Sequence, residues 1–214
     1  MIVDERMVTY IRSLEVPESA VIEAIEQEAL RDRVPITRKE MQSFLKVLLM
    51  IKRPMRILEV GAAVGFSSIL MSEYMPEGGH ITTIENYDKR IPIARANFKR
   101  AGKEAQIDLI EGDALEVMHG LGGPYDLIFV DAAKGQYIHY LPEVMRLLGT
   151  DGVLVSDNVL QEGDIIESRF AGNIQDCLRG AARTGNNPID WGLYCWNFYH
   201  FREPSDRWFH KEFP

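Results

Sequence analysis

The apolar positions of this chain follow two rhythms. Early on they recur at helical spacing. Val21, Ile22, Ile25 and Ala29 share one face of a helix expected over 17–33. Val34-Pro35-Ile36 stops it, because the residue before a proline is pushed out of helical backbone. Thr37 and Glu40 have capping-box spacing, in which each satisfies the other's backbone donor. Met41, Phe44, Leu45, Leu48 and Leu49 follow as a core-facing stripe that Lys52-Arg53-Pro54 closes. From Arg56 onward, short apolar runs alternate with helical stretches. Strands are expected at 56–60, 80–84, 107–110, 127–130 and 152–156. Helices are expected at 66–74, 88–100 and 136–148, with a short one after Gly112-Asp113-Ala114. Runs such as Leu127-Ile128-Phe129-Val130 have no polar face, as in strands covered on both sides. The pattern predicts an α/β fold with a doubly wound, mostly parallel sheet and right-handed crossovers. Residues 1–55 form a helical region packed on the sheet, 56–169 the α/β core, and 170–214 a tail of the same domain. No repeat or low-complexity segment interrupts this order.

Each strand is followed at once, or within a few residues, by glycine or an acid: Gly61, Glu85, Asp113, Asp131 and Asp157. Ligands of open α/β sheets bind beyond the carboxyl ends of the strands. The loop Glu59-Val60-Gly61-Ala62-Ala63-Val64-Gly65-Phe66-Ser67 has Ala63 where a dinucleotide fingerprint needs its second glycine, and it lacks the Gly-Lys-Ser/Thr of a phosphate loop. It should therefore hold a compact group without phosphates, its glycines letting the backbone approach closely. Glu85 can accept both ribose hydroxyls, or it can be an ordinary acid ahead of a helix. Asp113 and Ala114 can flank an adenine. A ribose acid beside a phosphate-free glycine loop points to S-adenosyl-L-methionine rather than NAD.

Asp131 either N-caps the next helix or, with Asp157 and Asn158, supplies an all-oxygen set suited to Mg²⁺ or a similar divalent cation. Three such ligands leave positions open for substrate. Lys134, three residues after Asp131, is the candidate base for a hydroxyl held there.

Charge and composition narrow the field only a little. The 214 residues carry a net charge of -8, which argues against a non-specific nucleic-acid coat. The segment 31–56 is locally basic, however, through Arg31, Arg33, Arg38, Lys39, Lys46, Lys52, Arg53 and Arg56. It is either a solvated helix face or a footing for RNA. No apolar run approaches the ~20 residues that span a bilayer. The start of the chain has acids where a signal peptide carries positive charge, so a cytoplasmic location and no membrane partner are expected. Cys177 and Cys195 have neither metal nor redox spacing.

The phrases ILEVGAAVGFSS, TTIE, EGDA, FVDAAK and VSDNVL resemble the Mg²⁺-dependent O-methyltransferases of the catechol and caffeoyl-CoA type. The resemblance spans roughly 34–163 and implies a class I, Rossmann-like methyltransferase core. It also implies that Thr37, Glu59, Gly61, Ser67, Glu85, Asp113, Ala114 and Asp131 line the cofactor. By the same likeness Asp131, Asp157 and Asn158 would hold the metal, and Lys134 would be the base. RVPI, DAAKGQY and DNVLQEG are most similar to the bacterial tRNA 5-hydroxyuridine methyltransferases. The acceptor this implies is the wobble 5-hydroxyuridine of tRNA, converted to 5-methoxyuridine. Its 5-hydroxyl and 4-carbonyl are adjacent oxygens, as in a small catechol-like phenol, which is the alternative acceptor. A homodimer is compatible with the likeness.

The tail departs from the pattern. Residues 170–214 hold ten of the chain's twenty aromatics, all three tryptophans and both cysteines. They lack alternation and break at Gly185-Asn186-Asn187-Pro188 where a helix and closing antiparallel hairpin are expected. A frameshifted or divergent tail would leave the C-terminal strands doubtful and an edge exposed. That opens a third reading, a non-catalytic cofactor-binding protein.

Overall fold

The structure, a computed structural model, describes residues 5–132, 134–157 and 193–196. Their order is α1 (Glu5–Ser13), α2 (Ala20–Arg31), α3 (Lys39–Lys52), β1 (Arg56–Val60), α4 (Phe66–Tyr74), β2 (His80–Glu85), α5 (Ile91–Arg100), β3 (Ile107–Glu111), α6 (Ala114–Gly120), β4 (Tyr125–Val130), a 3₁₀ turn (Lys134–Gln136), α7 (Tyr137–Leu147), β5 (Leu148–Asp157) and β6 (Leu193–Trp196). The strands form one sheet in the order β3-β2-β1-β4-β5-β6, and every pairing is parallel. The order reverses between β1 and β4, which is where open sheets of this kind place their ligands.

Alternate residues of each strand feed different cores, and this explains the unbroken apolar runs. Ile57, Ile81, Leu127, Phe129 and Val155 pack under α2, α3, α4 and α5. Leu58, Val60, Ile84, Ile128, Val130 and Leu154 pack under α6 and α7. The expected stripe of α3 is present, with Met41, Leu45 and Leu49 buried and Phe44 and Leu48 packed at its edge.

Far from the ligand edge, β1 and β4 are stapled at their amino ends. The Asp126 carboxylate accepts from the Met55 and Arg56 amides at 2.8 and 2.9 Å. The Arg56 guanidinium donates to the Pro124 and Gly122 carbonyls at 2.8 and 3.1 Å and covers the Tyr125 ring at 4.6 Å.

Several expectations are corrected. The capping box does not form: Arg38 is the N-cap of α3 and makes no side-chain cap bond, while Glu40 pairs with Arg12. Helix α5 begins at Ile91, with Pro92 in its first turn, rather than at 88. Helix α1 lies within the expected 1–55 helical region, although the first helix expected there begins only at Pro17. The tail does add a strand, because β6 pairs with β5 from Leu154↔Leu193 to Asp157↔Trp196. It runs parallel to β5 and covers the β5 edge over that span. The rest of the tail lies outside the described residues. No helix among the described residues is long and apolar enough to cross a membrane.

Candidate active site

A cavity of about 460 Å³ opens over the carboxyl ends of β1, β2 and β4. Its walls come from the Pro35–Thr37 strap, the β1 loop, the end of β2, Gly112 and Ala114, and Asp131. Thr37, Gly61, Ser67, Glu85, Ala114 and Asp131 all line it.

Glu85 is pre-arranged by backbone donors. One carboxylate oxygen accepts from the Ala63 amide at 2.7 Å, and the other accepts from Asn86 and Tyr87 at 2.9 and 2.8 Å. Ala63 is held with φ +47°, a left-handed conformation that costs a non-glycine residue roughly 1–2 kcal/mol. The cofactor loop is thus fastened to the acid at the end of β2.

Gly61 lines the cavity and also meets the neighbouring strand. It has φ +105°, and a β-carbon there would overlap the carbonyl oxygen of Asp131. Its missing side chain makes room for that strand end. The Asp131 amide donates to the Val60 carbonyl at 3.0 Å on the same side.

Two expected cofactor residues do not line the cavity. Glu59 is fully buried beneath the loop, where its carboxylate accepts from Ser68 and, at 2.5 Å, from Thr83. Its other oxygen makes no hydrogen bond among the described residues. Burial pushes its carboxyl up from the ordinary range, the hydroxyls of Ser67, Ser68 and Thr83 pull it back, and the charge of Asp131 adds to the rise. Asp113 N-caps α6, accepting from Leu115 and Glu116 at 2.9 and 3.2 Å. Its neighbours Gly112 and Ala114 face the cavity instead.

Asp131 does not cap α7, whose N-cap is Gln136. It follows the last residue of β4, and the β4–β5 ladder ends at Val130↔Ser156. Asp157, the next residue of β5, is buried. The two carboxylates expected to hold a metal therefore follow the final rung of one ladder. Asn158 lies outside the described residues. Lys134 opens the 3₁₀ turn between β4 and α7, and its side chain is likewise outside them. Among the described residues no cluster of three His, Cys, Asp or Glu could hold a metal. The expected set is two carboxylates and an amide, so the described part fits a hard cation by donor type and by placement on adjacent strand ends.

Sequence reasoning missed Tyr137. Its buried hydroxyl lies 3.1 Å from the Val130 carbonyl and 3.0 Å from that of Asp157, and it accepts from the Ala132 amide at 3.3 Å. Burial, then the nearby Asp131 and Asp157 carboxylates, push its phenol well above the ordinary range, while the Ala132 amide pulls it down. Tyr87, Arg90 and Tyr140 also line the cavity without having been expected. Only the i+6 spacing of Tyr137 from Asp131, on the face of α7 turned to the sheet, marks it in the sequence.

The basic segment is largely answered from within. Lys39 pairs with Glu26 at 2.7 Å, Lys46 with Glu18, and Arg31 with Asp32 at 3.1 Å. Lys52 donates to the Asp151 carbonyl, and Arg56 to the β4 loop.

A parallel sheet with its cavity at the switch point, an acid at the end of β2 and a carboxylate pair at the ends of β4 and β5 defines a class I methyltransferase fold. The model of the O-methyltransferase family matches residues 13–178, and the chain belongs to that family. It is 32% identical over 173 residues to a catechol O-methyltransferase of Mycobacterium tuberculosis, covering 80% of this chain and 78% of that protein. A catechol O-methyltransferase of Niastella koreensis is 31% identical over 144 residues, 65% of this chain and 64% of that one. Among solved structures, the O-methyltransferase from Bacillus cereus in complex with SAH superposes with a TM-score of 0.75 at 27% identity, covering 81% and 84% of the two chains.

Proposed function

We propose that this chain transfers the methyl group of S-adenosylmethionine to a hydroxyl lying next to a second oxygen, with a divalent cation at Asp131, Asp157 and Asn158. The observation that carries this reading is the double position of Asp131, which lines the cofactor cavity and directly follows the last β4–β5 rung, beside Asp157. Glu85, its carboxylate oriented by three amides, accepts the ribose hydroxyls. Ser67 and Thr37 border the methionine end, and Gly112 and Ala114 flank the adenine. A divalent cation held by Asp131, Asp157 and Asn158 would lower the pKa of the acceptor hydroxyl. Lys134 takes the hydroxyl proton. The new oxygen–methyl bond forms as the sulfur–methyl bond breaks, its electron pair staying on sulfur to give S-adenosylhomocysteine.

The acceptor in this reading is the wobble 5-hydroxyuridine of tRNA, supported by the phrases RVPI, DAAKGQY and DNVLQEG. A small catechol-like phenol is the second reading. It is favoured by the names of the two catechol relatives and by the self-pairing of the basic segment. The test incubates the protein with labelled S-adenosylmethionine and Mg²⁺, beside either hypomodified tRNA or a catechol panel. Label in tRNA, abolished by Asp131→Ala and by EDTA, is the expected result. Label in catechol alone selects the second reading. Cofactor binding with no transfer to either would leave a non-catalytic binding protein.

A further inference from the structure

We infer that Tyr137 is a positioning residue which extends the β4–β5 pairing one step past its last backbone rung and so holds Asp131 and Asp157 in place. The inference rests on the metal reading above and concerns how this chain sets its two carboxylates. Parallel strands are held by their ladder, and here the ladder stops at Val130↔Ser156. Asp131 and Asp157 are the next residues of the two strands, at the open end of that ladder.

The Tyr137 hydroxyl stands at that end. Its three partners are the Val130 carbonyl before Asp131, the Ala132 amide after it, and the carbonyl of Asp157 itself. A phenol has one hydrogen to donate and can accept as well, so it accepts from Ala132 and donates to either carbonyl. A single atom thereby touches the peptide on each side of one carboxylate residue and the peptide of the other. The opposite side of Asp131 is fixed by β1, through the Val60 carbonyl and the close approach of Gly61. Without the hydroxyl, the Asp131 backbone keeps its β1 contacts while its relation to Asp157 slackens. The ring, buried among Val130, Leu154 and their neighbours in the α7-side core, needs no hydroxyl to stay packed.

The test compares the full-length protein with Tyr137→Phe, which keeps the ring. Mn²⁺ affinity is read from the electron-paramagnetic signal of the free ion on SAH-saturated protein, and SAH affinity by calorimetry. Groups that orient metal ligands typically contribute about ten-fold or more to metal affinity. Tyr137→Phe is therefore expected to lose at least about ten-fold in Mn²⁺ affinity while binding SAH as the parent does. Equal Mn²⁺ affinity in the two proteins overturns the inference and leaves the metal reading standing. Equal losses of Mn²⁺ and SAH affinity, or a variant that fails to fold, assign the hydroxyl to general architecture and also overturn it. A parent protein that binds no Mn²⁺ overturns both readings together.

Discussion

Glu59 is sealed under the cofactor loop, and burial dominates its protonation. Its folded-state carboxyl titrates above the ordinary 4.5 at which it titrates when unfolded. Between those two values the native protein holds a proton that the unfolded chain has released, so stability falls as pH climbs through the interval. Glu59→Gln cannot release that proton. Urea unfolding of the cofactor-free protein, followed from about pH 5 to about pH 8, should show a downward slope in the parent that is shallower in the variant. Parallel curves would mean that Glu59 is not titrating across the range. Residue type alone could not reveal this role. An acid at the start of a glycine loop reads as a cofactor ligand, and only the sheet shows that its side chain points into the body of the protein. Gly61 and Asp113 carry structural duties of the same kind: the first, while lining the cavity, accommodates a carbonyl, and the second caps a helix.

Among elements, the Pro35–Thr37 strap that walls the cavity depends on α2 and α3. The Gln42 amide donates to the Thr37 carbonyl at 2.7 Å and to Glu26 at 3.0 Å, and Lys39 closes the group on Glu26. Gln42→Leu removes both donors and leaves a buried carboxylate and a carbonyl short of partners, at a cost of about 1–3 kcal/mol. Urea unfolding should register that loss, and calorimetry should show weaker SAH binding as the strap loosens. Unchanged SAH affinity would show that the strap is held some other way. The strands and most helices were legible because burial on two faces leaves unbroken apolar runs, and burial on one leaves a stripe. Helix α1 was not legible, since Met7, Tyr10 and Ile11 are more than half exposed and give no contrast between its faces. Nor was Tyr137, because its role depends on where the β4–β5 ladder ends, a matter of register between strands that apolar patterning does not encode.

For the whole molecule, the question is how a protein of net charge -8 would meet a polyanion. Lys39, Lys46 and Arg31 already answer to Glu26, Glu18 and Asp32, so few cations of the basic segment stand ready for phosphates. If about two phosphates are neutralised, tRNA affinity should fall only about eight-fold between roughly 50 and 200 mM salt. The KM for tRNA across that range checks this. A much steeper loss would show that the internal pairs open to receive the nucleic acid. The sheet itself is fastened unevenly. Asp126 and Arg56 bind β1 to β4 at the amino ends, while the carboxyl ends carry the cavity and the carboxylates. The rivet is thus at one end of the tool and the jaws at the other. Substitutions at the rivet therefore change the stability of the sheet at a distance from the jaws, where the two effects should add independently.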